Sequence, residues 1–165
     1  MQFEGVKIRW FVENCFEIKL PNGKTIVIDP MLVREAGEDA PHMQKAFVSG
    51  YSVEDLEGAD YVIINHTHGD HIGSLHDVCK KFNPVIICHA AAAMQIAIGC
   101  DVAPRKMFPY VANQRYDFGD FSFETFTGEH GSTIGDTTVS ETIARFGGGP
   151  LDDQMLLNLY GSLFN

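Results

Sequence analysis

Apolar and polar residues alternate from the start of this chain. Val6 to Phe11 (VKIRWF) reads as a strand, and Cys15 to Leu20 (CFEIKL) as a second, with Phe16, Ile18 and Leu20 separated by charged neighbours. Pro21-Asn22-Gly23 then supplies a tight turn, because Asn-Gly accepts the positive φ angles of a short hairpin. Thr25 to Ile28 (TIVI) is almost wholly apolar and stops at Asp29-Pro30, the pattern of a strand buried on both faces. Asp60 to Asn65 (DYVIIN) predicts another buried strand, running straight into His66. Beyond it Ile72, Leu75, Val78, Cys79 and Phe82 recur at helical spacing until Pro84 breaks the helix. Val85 to Cys88 is again a strand, Ala90 to Ile98 a helix, and Phe118 to Phe126 (FGDFSFETF) a half-buried strand. Strands alternating with helices make an α/β fold.

The remaining segments are weaker in pattern. Glu35 to Pro41 is polar and reads as a loop, and Val53 to Leu56 as a short helix capped by Ser52. Gly128 to Pro150 is rich in Gly, Thr and Ser, an exposed loop or insertion. Leu151, Met155, Leu156, Leu159 and Leu163 then mark an amphipathic helix opened by Pro150 and Asp152. A length of 165 residues suits one domain spanning 1–165.

Charge narrows the partners. Twelve basic against 22 acidic residues give a net charge of -10, which repels phosphate backbones, and the densest basic runs are only Lys80-Lys81 and Arg105-Lys106. A nucleic-acid partner is therefore not expected, nor a membrane one, since no apolar stretch approaches spanning length. Cys15, Cys79, Cys88 and Cys100 form no CxxC pair and sit among apolar residues, as reduced core thiols do. With no signal-peptide pattern at the N-terminus, the expectation is a cytoplasmic enzyme acting on a small molecule.

The chemistry concentrates in His66-Thr67-His68-Gly69-Asp70-His71, between a buried strand and an amphipathic helix. Residues two apart on an extended segment point the same way, so His66 and His68 can converge on one ion. Gly69 permits a sharp turn, after which Asp70 and His71 aim differently and suit a second ion. Two ions roughly 3.5–4 Å apart can bridge a hydroxide and stabilise both oxygens of a hydrolysis. A single histidine at a strand end is usually structural. Three with an aspartate are harder to explain so, because burying them unpartnered costs several kcal/mol. Imidazole and carboxylate without thiolate point to zinc first, with manganese or iron as alternatives.

HTHGDH resembles the HxHxDH signature of the metallo-β-lactamase superfamily, and two further matches extend the likeness. Asp29 in TIVIDP matches an aspartate that ends an early buried strand, and His130 in ETFTGEH a third histidine after a later strand. The opening IRWFVENCFEIKLPNGKTIVIDP resembles the branch containing the ascorbate-6-phosphate lactonases. The resemblance implies an αββα sandwich of mixed sheets flanked by helices, with a dinuclear site at one edge. It assigns His66, His68 and His130 to the first ion, and Asp70 and His71 to the second. It also places Asp70 to orient or deprotonate the attacking water, and Asp29 to fix the histidines by hydrogen bonds from behind. The implied activity is metal-dependent hydrolysis of an ester, lactone or related bond by a metal-bound hydroxide.

The chain also departs from that pattern. Gly135-Asp136-Thr137 has the letters of the expected bridging aspartate but lies only six residues past His130, and reads as an ordinary loop residue. No histidine follows His130, so the chain reads as the N-terminal half of the sandwich. Half a sandwich leaves a sheet face uncovered, which favours a homo-oligomer. His76 reads as surface, His89 as a residue at the site rim, and His42 as a possible substrate contact. The competing reading is a degenerate, non-catalytic metal-binding or interaction module.

Overall fold

The protein is described from a computed structural model over residues 5–34 and 48–127. The expected meander forms first: β1 (Lys7–Val12), β2 (Cys15–Lys19) and β3 (Thr25–Ile28) pair antiparallel in that order. The chain then makes a 3-10 turn (Val53–Asp55) and lays β4 (Tyr61–Ile63), β5 (Val85–His89) and β6 (Met107–Tyr110) parallel to β3. The result is one mixed six-stranded sheet in the order β1-β2-β3-β4-β5-β6. Helices α1 (Gly69–Ile72), α2 (Leu75–Phe82) and α3 (Ala93–Gly99) supply the crossovers, and β7 (Arg115–Asp117) with β8 (Ser122–Glu124) forms a separate hairpin.

The register divides the side chains between two faces. Phe11, Cys15, Val27, Val62, Ile64, Ile86 and Cys88 join Ile72, Leu75, Val78 and Ile96 of the helices in one buried cluster. Full burial of each such side chain contributes about 1.5–3 kcal/mol, so this layer holds the fold together. The opposite face carries Ile8 and Trp10, then Phe16, Ile18, Ile26 and Ile28, then Tyr61, Phe108 and Tyr110. Over its β4–β6 end the hairpin stacks aromatic rings: Phe118 and Phe121 meet Tyr61 edge-on at 5.6 and 5.0 Å, and Phe118 meets Phe108 at 4.7 Å. At the β1 end Ile8 and Trp10 stay 64% and 65% exposed. Among the described residues, the face expected to lack its cover is bare at this edge.

Two sequence expectations change, and one strand is new. The helix over Ile72–Phe82 is broken at Gly73-Ser74, because Ser74 Oγ bonds the backbone of Leu32 twice, accepting from its amide at 2.8 Å and donating to its carbonyl at 2.9 Å. The strand over Phe118–Phe126 is a hairpin arm instead: Gly119 takes a positive φ of 79° and its amide bonds Asp117 Oδ1 at 2.7 Å, turning the chain. Strand β6 (MFPY) was not read from the sequence; Pro109 within it has no amide to donate to a ladder, and as an outermost strand β6 needs no partner on its far side. The loops over 35–41 and 128–150 and the helix over 151–164 lie outside the described residues.

An ion pair with one buried partner ties the meander to the turn before β4. Glu17 is 3% exposed, faces Arg9 Nε at 3.1 Å, and accepts from the amides of Glu57 at 2.6 Å and Gly58 at 3.3 Å. Arg9 also reaches the carbonyl of Asp55. Glu17→Ala leaves two amides facing a gap and should cost about 2–3 kcal/mol of stability, read as a lower urea midpoint with unchanged slope.

Candidate metal centre

All four parallel strands end at one edge of the sheet, and the candidate residues follow those ends. β3 stops because Asp29 adopts a left-handed backbone, φ 43°, which aspartate tolerates, and Pro30 follows. The bend turns the Asp29 carboxylate inward, where it is 1% exposed. One oxygen accepts the Asn65 amide at 2.8 Å, and the other accepts His71 Nδ1 at 2.9 Å. A carboxylate oxygen can only accept, so the Nδ1 proton is assigned by chemistry, and the neutral ring keeps its lone pair on Nε2. Asn14 Nδ2, from the β1–β2 turn, donates to that Nε2 at 3.3 Å.

The other ligand candidates surround this pair. His66 and His71 rings lie with centroids 3.8 Å apart, and His66 and His68 4.6 Å apart. Asp70 Oδ2 lies 3.8 Å from His71 Nε2. His68 caps α1, its carbonyl accepting the amides of His71 at 2.9 Å and Ile72 at 3.1 Å, so one short helix orients both Asp70 and His71. Gly73 keeps this bend compact: a Cβ there would stand 2.5 Å from Met31 Sδ and 2.8 Å from the Gly69 carbonyl oxygen.

Electrostatics bias the pair toward holding its proton. Burial pushes Asp29 above the ordinary carboxylate range, with the bonds from His71 and Asn65 pulling back. Burial pulls the His71 ring down, but the bond and charge of Asp29, then Asp70 and Glu13, raise it overall. The cysteines are free, as expected, and burial lifts Cys15 to about 11 and Cys88 to about 12, so neither is a thiolate nucleophile at neutral pH.

His66, His68, Asp70, His71 and Asp29 are thus brought together, while His130, His42 and Asp136 lie outside the described residues. Among the described residues, no three His, Cys, Asp or Glu side chains already form a cage for one ion. In kind, imidazoles and carboxylates without thiolate fit a divalent cation of the zinc, manganese or iron type. His76 is exposed, as expected, and His89 stands at the end of β5, on the same sheet edge. Asn14 and Ser74 were not singled out in the sequence. Asn14 carries only the signal of a turn, and Ser74 that of a helix cap.

A sequence model described as the metallo-beta-lactamase superfamily matches residues 8–145. A UPF0173 metal-dependent hydrolase of Thermodesulfovibrio yellowstonii is 32% identical over 79 residues, covering 48% of this chain and 26% of that protein. Another from Koribacter versatilis is 30% identical over 88 residues, covering 53% of this chain and 33% of the relative. The chain therefore spans about a quarter to a third of the length of these relatives. Among solved structures, a metallo hydrolase of Ignicoccus hospitalis is similar over 70% of this chain and 43% of its own, at 18% identity and a TM-score of 0.49.

Asp29→Ala removes the acceptor for both the Asn65 amide and His71 Nδ1. Two buried donors then lose their partner, and stability should fall by about 2–4 kcal/mol, measured by urea unfolding in the presence of a chelator.

Proposed function

This chain belongs to the metallo-β-lactamase superfamily, and from that premise we propose that it is a metal-dependent hydrolase of a small-molecule ester, lactone or related bond. The supporting observation is the Asp29–His71 pair. A buried carboxylate that binds Nδ1 of a histidine, and so fixes its tautomer with the lone pair on Nε2, is the arrangement that metal-ligating imidazoles need. In this reading His66 and His68, with His130, hold a first ion, and Asp70 and His71 contribute to a second. A bound divalent cation, zinc first with manganese or iron as alternatives, would polarise the scissile group and acidify water.

The chain's own groups divide the remaining work. Asp29 holds the proton on His71 Nδ1 and so keeps the ring in one orientation. Asp70, half-buried at the start of α1, takes the proton of the attacking water on a carboxylate oxygen and aligns that water. Among substrates, a lactone is favoured by the likeness of the β1–β3 segment to the lactonase branch. The net charge of -10 argues against a nucleic-acid polyanion.

One observation favours a second reading, a degenerate, non-catalytic metal-binding or interaction module holding at most one ion: no three donors among the described residues form a ready cage. Metal content separates the two. Purified chain analysed by inductively coupled plasma mass spectrometry should carry close to two ions per chain, and His68→Ala should lower occupancy at least tenfold, as loss of a direct ligand must. Near-zero metal in the unaltered chain, or unchanged occupancy in His68→Ala, contradicts the hydrolase reading.

A further inference from the structure

Tyr110 ends β6 at the edge where β3 ends at Asp29 and β4 leads to His66. Its register partner on β5 is His89, and the two rings meet edge-on at 5.7 Å. Its hydroxyl reaches across β5 to the end of β4, 3.1 Å from the Ile64 carbonyl oxygen and 3.2 Å from that of Asn65. One O–H proton serves both acceptors, so the bond is shared between them.

The same two residues are held from their amide sides. The Ile64 amide donates to the Ile87 carbonyl at 2.8 Å, and the Asn65 amide to Asp29 Oδ1 at 2.8 Å. The Asn65 carbonyl belongs to the peptide unit that carries the His66 nitrogen. Rotating that unit away from Tyr110 swings the His66 side chain with it.

We propose that Tyr110 is a positioning residue for the candidate metal centre: its hydroxyl fixes the peptide leading into His66, and so the direction in which that imidazole is presented. The inference rests on the metal-hydrolase reading for its functional meaning, although the backbone clamp itself does not. Burial first, then the neighbouring Cys88, Asp29 and Tyr116, lift the Tyr110 hydroxyl to about 12, so it remains a donor throughout the neutral range. The ring also packs near Phe123 at 6.2 Å, a contact that phenylalanine would keep. Tyr110→Phe therefore removes the hydrogen bond and little else.

The test compares Tyr110→Phe with the unaltered full chain by two readouts. Titration with Co2+, followed by its visible absorption, should show affinity reduced about tenfold and an altered band shape, the size seen when groups supporting a ligand are removed. Without metal, hydrogen exchange at the Ile64 and Asn65 amides should quicken severalfold while the Val27 and Ile86 amides stay unchanged. Co2+ affinity within twofold and an identical spectrum would overturn the role at the metal. Unchanged exchange at Ile64 and Asn65 would overturn the clamp. Should the unaltered chain take up no Co2+, the metal-hydrolase reading is what fails, and exchange alone then decides whether Tyr110 holds the His66 peptide.

Discussion

A carboxylate with almost no access to water must be compensated by donors brought to it, and Asp29 recruits them from two other parts of the fold. Asn65 arrives from the end of β4 and His71 from α1. Leaving either donor away would strand a buried charge at a cost of several kcal/mol. Asp29 therefore demands that the end of β3, the end of β4 and the start of α1 meet at one point. The histidine-rich bend is built on that meeting, and its side chains inherit their directions from it.

The sheet supplies the geometry that makes such a meeting possible. Parallel β3, β4, β5 and β6 all finish at one edge, so residues just past their ends are neighbours whatever their distance in sequence. Asp29, His66, His89 and Tyr110 occupy these positions in strand order. One face is sealed by helices over aliphatic side chains, and the other is covered over its β4–β6 end by aromatic stacking from the β7–β8 hairpin. That division leaves the strand ends as the place where polar groups collect without disturbing either apolar layer.

Much of this was legible in the sequence where neighbours in space are neighbours in chain. His66, His68, Asp70 and His71 announce themselves within one short segment, and the meander with strands β4 and β5 follows from plain apolar runs. Asp29 stood out only through the family resemblance, as the match to an aspartate that ends an early buried strand. Asn14, Ser74 and Tyr110 did not, because each acts on a residue 42 or more positions away through a contact that only the folded sheet creates. The break between α1 and α2 was hidden for the same reason: its cause is the Leu32 backbone, not the local periodicity. β6 was not read at all: its four residues, MFPY, form a short run with Pro109 inside it, tolerated there because the strand is outermost.

Metal chemistry at this edge requires imidazoles from the His66–His71 bend to face one ion beside the Asp29–His71 pair. Crystals of the chain grown with zinc, with anomalous data collected on both sides of the zinc edge, address this directly. The predicted result is an anomalous peak within about 2.0–2.1 Å of ring nitrogens of both His66 and His68. A zinc peak bound elsewhere, with none beside these two rings, would contradict it.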